Sequence, residues 1–327
     1  MNRLWSLAAA GQERWVLPIL TYPGAQLAGV SVREMVTCPE AQVAAVAALR
    51  ARYPLRVLLS AMDLSVEAEA FGSMVHLADH EVPTVTGRRV RSRAEVEALA
   101  VPAPGAGRTA VFLETVRRLQ QLPGRPVVLG CLIGPFSLAA RLFGVSEMLG
   151  LTLEDPGLTH LLVAKAARFL SAYAAAFHAA GAEGVVMAEP TAGLLSPRAL
   201  AEFSSDYVRR IVAAVEAPDF TLVLHNCAAR LVHLPEVLAS RARAYHFGAP
   251  MDLPAALARV PAGTLVAGNL DPAVVFVRAT PDQVRAATLA LRSATAHFPN
   301  FVLSPGCDLP PQTPLANLDA FFAAATA

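Results

Sequence analysis

Eight short apolar runs, each followed by a longer stretch of helical character, constrain this chain more than any other feature. They fall at residues 16–22, 57–63, 126–130, 184–189, 221–226, 244–248, 264–269 and 301–304. Within each run the apolar residues are continuous rather than alternating, as expected of parallel strands covered on both faces. Strand–helix units repeated at this count predict an α/β fold, a parallel eight-stranded (β/α)8 TIM barrel. A doubly wound sheet is the competing arrangement. It would carry a glycine-rich phosphate loop after an early strand, and no GxGxxG occurs.

The helical stretches are punctuated where helices begin and end. Ser196-Pro197 and Thr280-Pro281 place a capping hydroxyl and a proline at helix starts, and the stretch 158–180 closes at Gly181. Residues 74–108, with their prolines and charges, fit no repeat and are expected to form an insertion after the second strand. With an N-terminal extension over about residues 1–15, one barrel domain accounts for 1–327. The chain is 54% hydrophobic. Even so, its most apolar stretch, 158–187, is interrupted by His160, Lys165, Arg168, His178 and Glu183, whereas a membrane span needs roughly 20 apolar residues in a row. The apolar run in MNRLWSLAAAGQERW is shorter than the ~7–15 residues of a signal-peptide core, so a cytoplasmic location is expected. A net charge of +1 offers no attraction for nucleic acid or an anionic membrane surface.

In a barrel of this type chemistry gathers where the strands end. Those ends carry Tyr22, Asp63, Cys131, Glu189, His225-Asn226-Cys227, His246, Asn269 with Asp271, and Cys307 with Asp308. Residues i and i+2 of an extended chain point the same way, so His225 and Cys227 can reach one point. Cys307 leaves the last predicted strand in a Ser-Pro-Gly-Cys turn that can aim its sulfur at the same mouth. Two thiolates and an imidazole suit Zn²⁺ with a fourth position open. Spacing alone leaves the other reading in place: thiols that fill the core and a histidine at its edge, as Cys38 and Cys131 are expected to be.

Several stretches together resemble the uroporphyrinogen decarboxylase superfamily, and within it the zinc-dependent methylcobalamin:coenzyme M methyltransferases. They are ValGluAlaGluAlaPheGly (66–72), IleGlyProPheSerLeuAla (133–139), GluProThrAlaGlyLeuLeuSerPro (189–197), LeuHisAsnCys (224–227), GlyAsnLeuAspPro (268–272) and SerProGlyCysAspLeuProPro (304–311). The resemblance implies a zinc ion on His225, Cys227 and Cys307, methylcobalamin or a corrinoid protein as methyl donor, and a small thiol such as coenzyme M or homocysteine as acceptor. It makes Glu189 a candidate fourth ligand, or else a residue that orients a loop. Asp63, Glu69, His246, Asn269 and Asp271 become candidate positioning groups, and Tyr22 a residue to pack against a corrinoid face. Two departures stand out. The stretch 14–29, where the decarboxylases carry arginines for their polycarboxylate substrate, has only Arg14, and Ala228 and Glu189 replace a usual glycine and aspartate. A cofactor-free decarboxylase of a uroporphyrinogen-like substrate and a non-catalytic zinc- or corrinoid-binding accessory protein are the alternatives.

Overall fold

The computed structural model describes residues 3–9 and 15–326; the remainder of the expected N-terminal extension, 1–2 and 10–14, lies outside the described residues. Nine strands occur among them, and seven form one parallel sheet. In chain order they are β1 (Val57–Leu59), β2 (Met74–His76), β3 (Thr84–Thr86), β4 (Val127–Ile133), β5 (Gly184–Ala188), β6 (Thr221–Asn226), β7 (Ala244–Phe247), β8 (Leu265–Leu270) and β9 (Phe301–Pro305), the sheet order being β1-β4-β5-β6-β7-β8-β9.

The first expected strand, 16–22, does not form as a regular strand. Pro18 lacks the N–H that a ladder needs, and only one parallel bridge, Val16 to Leu303, is made. The segment nevertheless lies between the two edges of the sheet. Leu17 N donates to Leu303 O of β9 at 3.2 Å, and Thr21 Oγ1 accepts from Met62 N, just beyond β1, at 3.3 Å. The sheet therefore curls towards itself with an irregular eighth member. The expected insertion after the second run begins with an antiparallel hairpin of β2 and β3 and continues into helix Arg93–Ala98.

Side chains on the strands divide by parity into two apolar clusters, as the period of two requires. Val127, Leu129 and Cys131 of β4 point into the curl, while Val128 and Leu132 pack under the surrounding helices. Val223 of β6, Ala244 of β7 and Val302 of β9 share the inner side, so two residues further on His225, His246 and Ser304 face inward as well. Leu4, on helix Arg3–Ala9, joins that inner cluster from the N-terminal end of the strands. Arg3 anchors the helix there on Glu183, Arg125 O and Pro126 O. No single described helix is long and apolar enough to cross a membrane. The one pair that passes together, Pro135–Phe143 with Val145–Glu154, is bent by 106° at its break.

Candidate metal centre

His225, Cys227 and Cys307 come together at the C-terminal ends of β6 and β9. One ligand atom of each lies within 4.8 Å of the other two, with His225 buried and the two thiols half-buried. No other such group of three or more potential ligands occurs among the described residues. Glycine makes the approach possible. A Cβ at Gly248 would sit 2.1 Å from Cys227 O and 2.6 Å from its Cα, so only glycine lets the end of β7 pass this close behind the cysteine. Asn269 holds that loop down, donating through Nδ2 to Gly248 O at 3.0 Å and to Met251 O at 2.7 Å.

The imidazole is fixed from behind. His225 and His246 are register partners on β6 and β7, and their Nδ1 atoms are 2.9 Å apart. His225 Nδ1 also lies 3.2 Å from His246 O. On its far side His246 Nε2 meets Ser304 Oγ at 2.7 Å, across the small Ala267 of β8. His225 Nε2, by contrast, is buried with no hydrogen-bond partner. A buried ring nitrogen left bare costs a few kcal/mol unless something occupies it. Tetrahedral zinc with ~2.3 Å bonds to sulfur sets ligand atoms roughly 3.5–4 Å apart, so the three groups fit such an ion after closing by at most about 1.3 Å.

The local charges agree with this arrangement. The neighbouring Cys307 thiol holds Cys227 down to about 4, His225 helping and burial opposing. The same contact, together with burial, pushes Cys307 well above an ordinary thiol. Burial, and after it the charge of His225, push His246 far below an ordinary imidazole, so it is neutral.

The other expected site residues have different surroundings. Glu189 does not join the thiols. Its carboxylate accepts from Phe136 N (2.8 Å), Ser137 N (2.9 Å) and Ser204 Oγ (2.9 Å), capping the positive end of helix Pro135–Phe143. Burial raises its pKa against those bonds. Tyr22 is only 2% exposed and donates to Met62 O at 3.2 Å, leaving no open ring face for a corrinoid. Asp271 accepts from Ala273 N and Val274 N, both at 2.8 Å, as the cap of the next helical turn. Asp63 and Glu69 are joined through Arg108, whose Nη1 bonds Asp63 and whose Nε bonds Glu69 at 2.5 Å. Ser65 completes that clamp. Cys131 lies in the inner apolar cluster and Cys38 beside Glu40, both apart from the group.

Four participants were absent from the sequence reading. Ser304 shares the parity of Val302 on its strand, a signal that was available. Arg108, Ser65 and Thr21 had none. Thr21 N and Oγ1 both bond the carboxylate of Asp308, next to Cys307. Burial raises Asp308 to about 6 against those bonds.

A curled parallel sheet that gathers an imidazole and two thiols at the C-terminal ends of its strands defines a barrel-type α/β protein with a candidate soft-metal centre at its mouth. The chain belongs to the uroporphyrinogen decarboxylase (URO-D) family, whose profile matches residues 9–327. It is 28% identical over 260 residues to the methylcobamide:CoM methyltransferase MtbA of Methanosarcina mazei, covering 78% of this chain and 75% of that one. It is 29% identical over 286 residues to the uroporphyrinogen decarboxylase of Ectopseudomonas mendocina, covering 84% and 79%. A solved methyltransferase from Methanosarcina mazei has the same fold, with a TM-score of 0.87 at 22% identity over 98% of this chain and 96% of that one.

Proposed function

We infer that this chain is a zinc-dependent methyltransferase that moves a methyl group from a methylated corrinoid, free or on a carrier protein, to a small thiol such as coenzyme M or homocysteine. The observation that carries the reading is the bare, buried Nε2 of His225 facing the Cys227 and Cys307 thiols. The likeness to MtbA supports the reaction class.

A zinc ion on these three residues would leave one tetrahedral position for an incoming thiol and keep its sulfur as a nucleophilic thiolate at neutral pH. The protein's own part is to present that site with its protons in place. For His225 to offer Nε2, its proton must sit on Nδ1, which then donates to His246 Nδ1 and to His246 O. Neutral His246 then carries its proton on Nε2 and donates to Ser304 Oγ. Three residues on three strands thus select one imidazole tautomer. The lowered Cys227 thiol is already poised to ligate as thiolate.

The decarboxylase alternative draws on relatives of similar identity. The stretch 14–29, with Arg14 as its only arginine, lacks the counter-charges a polycarboxylate needs. Zinc analysis of the purified protein, followed by mixing methylcobalamin with candidate thiols and watching its demethylation spectrum, tests the reading. About one zinc per chain, lost in Cys307→Ser, and thiol-dependent demethylation are expected. A metal-free protein that demethylates nothing would leave the decarboxylase or a binding-only accessory role.

A further inference from the structure

The arm between β1 and β4 builds a second concavity. Gly72, Ser73, Met74, Thr86 and Gly87, with Arg88, Arg89 and Arg91, line a pocket of about 330 Å³. Three arginines stand on its wall. Arg88 is partly neutralised by Glu147 at 3.2 Å. Arg89 uses only its Nε, on Phe71 O at 2.9 Å, which leaves the outer edge of its guanidinium unbonded among the described residues. The Arg91 side chain makes no hydrogen bond or ion pair among them; only its backbone N–H is engaged, by Glu95. Ser73 also lines the pocket; it is 8% exposed, and its Oγ is buried without a partner. Such a hydroxyl is costly unless something in the pocket accepts from it.

We propose that this pocket binds a phosphate-type oxyanion carried on a small ligand, with Arg89 and Arg91 as charge partners and Ser73 Oγ as a buried donor. Planar guanidinium edges match the spacing of oxyanion oxygens. Two guanidinium edges and a hydroxyl offer more donors than the two oxygens of a carboxylate can use, whereas a phosphate group has enough oxygens for all of them. The volume exceeds a bare phosphate and leaves room for the organic part. Glu147 is already spent on Arg88. The inference stands apart from the metal-centre reading, since none of its residues belongs to that centre.

The test is calorimetric titration of inorganic phosphate into the full chain at low salt, with acetate as competitor. Saturable one-site binding is expected, weakened about tenfold in the Arg89→Gln/Arg91→Gln double variant. Ser73→Ala, which removes an unpaired buried hydroxyl and so keeps the fold, should weaken it as well. Absence of saturable binding, unchanged affinity in both variants, or acetate competing as well as phosphate would each overturn the proposal. The source of the phosphate is read by competition. Displacement by methylcobalamin but not by methylcobinamide, which lacks the nucleotide phosphodiester, points to a corrinoid tail; displacement by neither points to a different phosphate-bearing small ligand.

Discussion

Removing the imidazole behind His225 is the sharpest perturbation of the centre. In His246→Ala the Nδ1–Nδ1 contact of 2.9 Å and the link to Ser304 both vanish. The His225 ring then keeps only the His246 backbone carbonyl, 3.2 Å from Nδ1, to hold its orientation and its proton. Loss of a group that orients a metal-ligating histidine lowers metal affinity about 10- to 100-fold, or about 1.4–2.7 kcal/mol. His246 is 1% exposed, so the truncation also leaves a cavity and costs the metal-free protein about 2–4 kcal/mol. His246→Asn separates the two effects, because an asparagine side chain places a polar atom close to where Nδ1 stood while still losing the reach to Ser304. Zinc affinity, measured by competition with a chromophoric chelator, should fall in His246→Ala and largely recover in His246→Asn. Denaturation in the presence of chelator should find both variants weakened. If His246→Ala bound zinc as tightly as the parent, or if the asparagine rescued nothing, His225 would not be the oriented ligand described above.

Gly248→Ala drives a methyl into the Cys227 backbone; a loss of about 1–3 kcal/mol in denaturant unfolding and zinc content below one per chain are expected. Arg108→Gln leaves Asp63, 3% exposed, as a buried charge without its main partner. A loss of about 3–5 kcal/mol is expected, with part of it recovered in Asp63→Asn/Arg108→Gln, again by denaturant unfolding. Burial pushes Glu67 up to about 8, with the Ile133 N–H pulling the other way. Its folded pKa thus lies above its unfolded one. The stability it contributes is complete below about pH 4.5 and is lost as pH rises to 8. Glu67→Gln should flatten the profile in that window and raise stability at pH 9 by up to about 5 kcal/mol, measured by unfolding at pH 5, 7 and 9.

Most of the sheet could be read from the sequence because both faces of its strands are covered, so each strand appears as an unbroken apolar run. Parity puts His225 and Cys227 on one side and the Ser-Pro-Gly-Cys turn can aim Cys307 there, but it was the family resemblance that singled the three out as a set. Pro18 explains why the first run made one bridge rather than a strand. What escaped depended on neighbours supplied by other strands or loops. Nothing local to Glu189 says that a helix start 52 residues earlier will claim its oxygens. Nothing local to His246 says that its partner is a histidine on the neighbouring strand β6. Arg108 sits in a stretch with no periodicity, and its role exists only once Asp63 and Glu69 flank it.

The hydrogen bond from Thr21 to Asp308 joins residues 287 positions apart, and the second thiol of the cluster lies immediately before that aspartate. On the ribosome, then, a growing chain exposes its histidine and first cysteine long before the second exists. Any ion captured early is held by half a site, and the pocket acquires its full grip only when the end of the chain folds back against the beginning. Long-range closure of this kind is slow, so on the proposed zinc reading the complete set of three ligands is assembled only late.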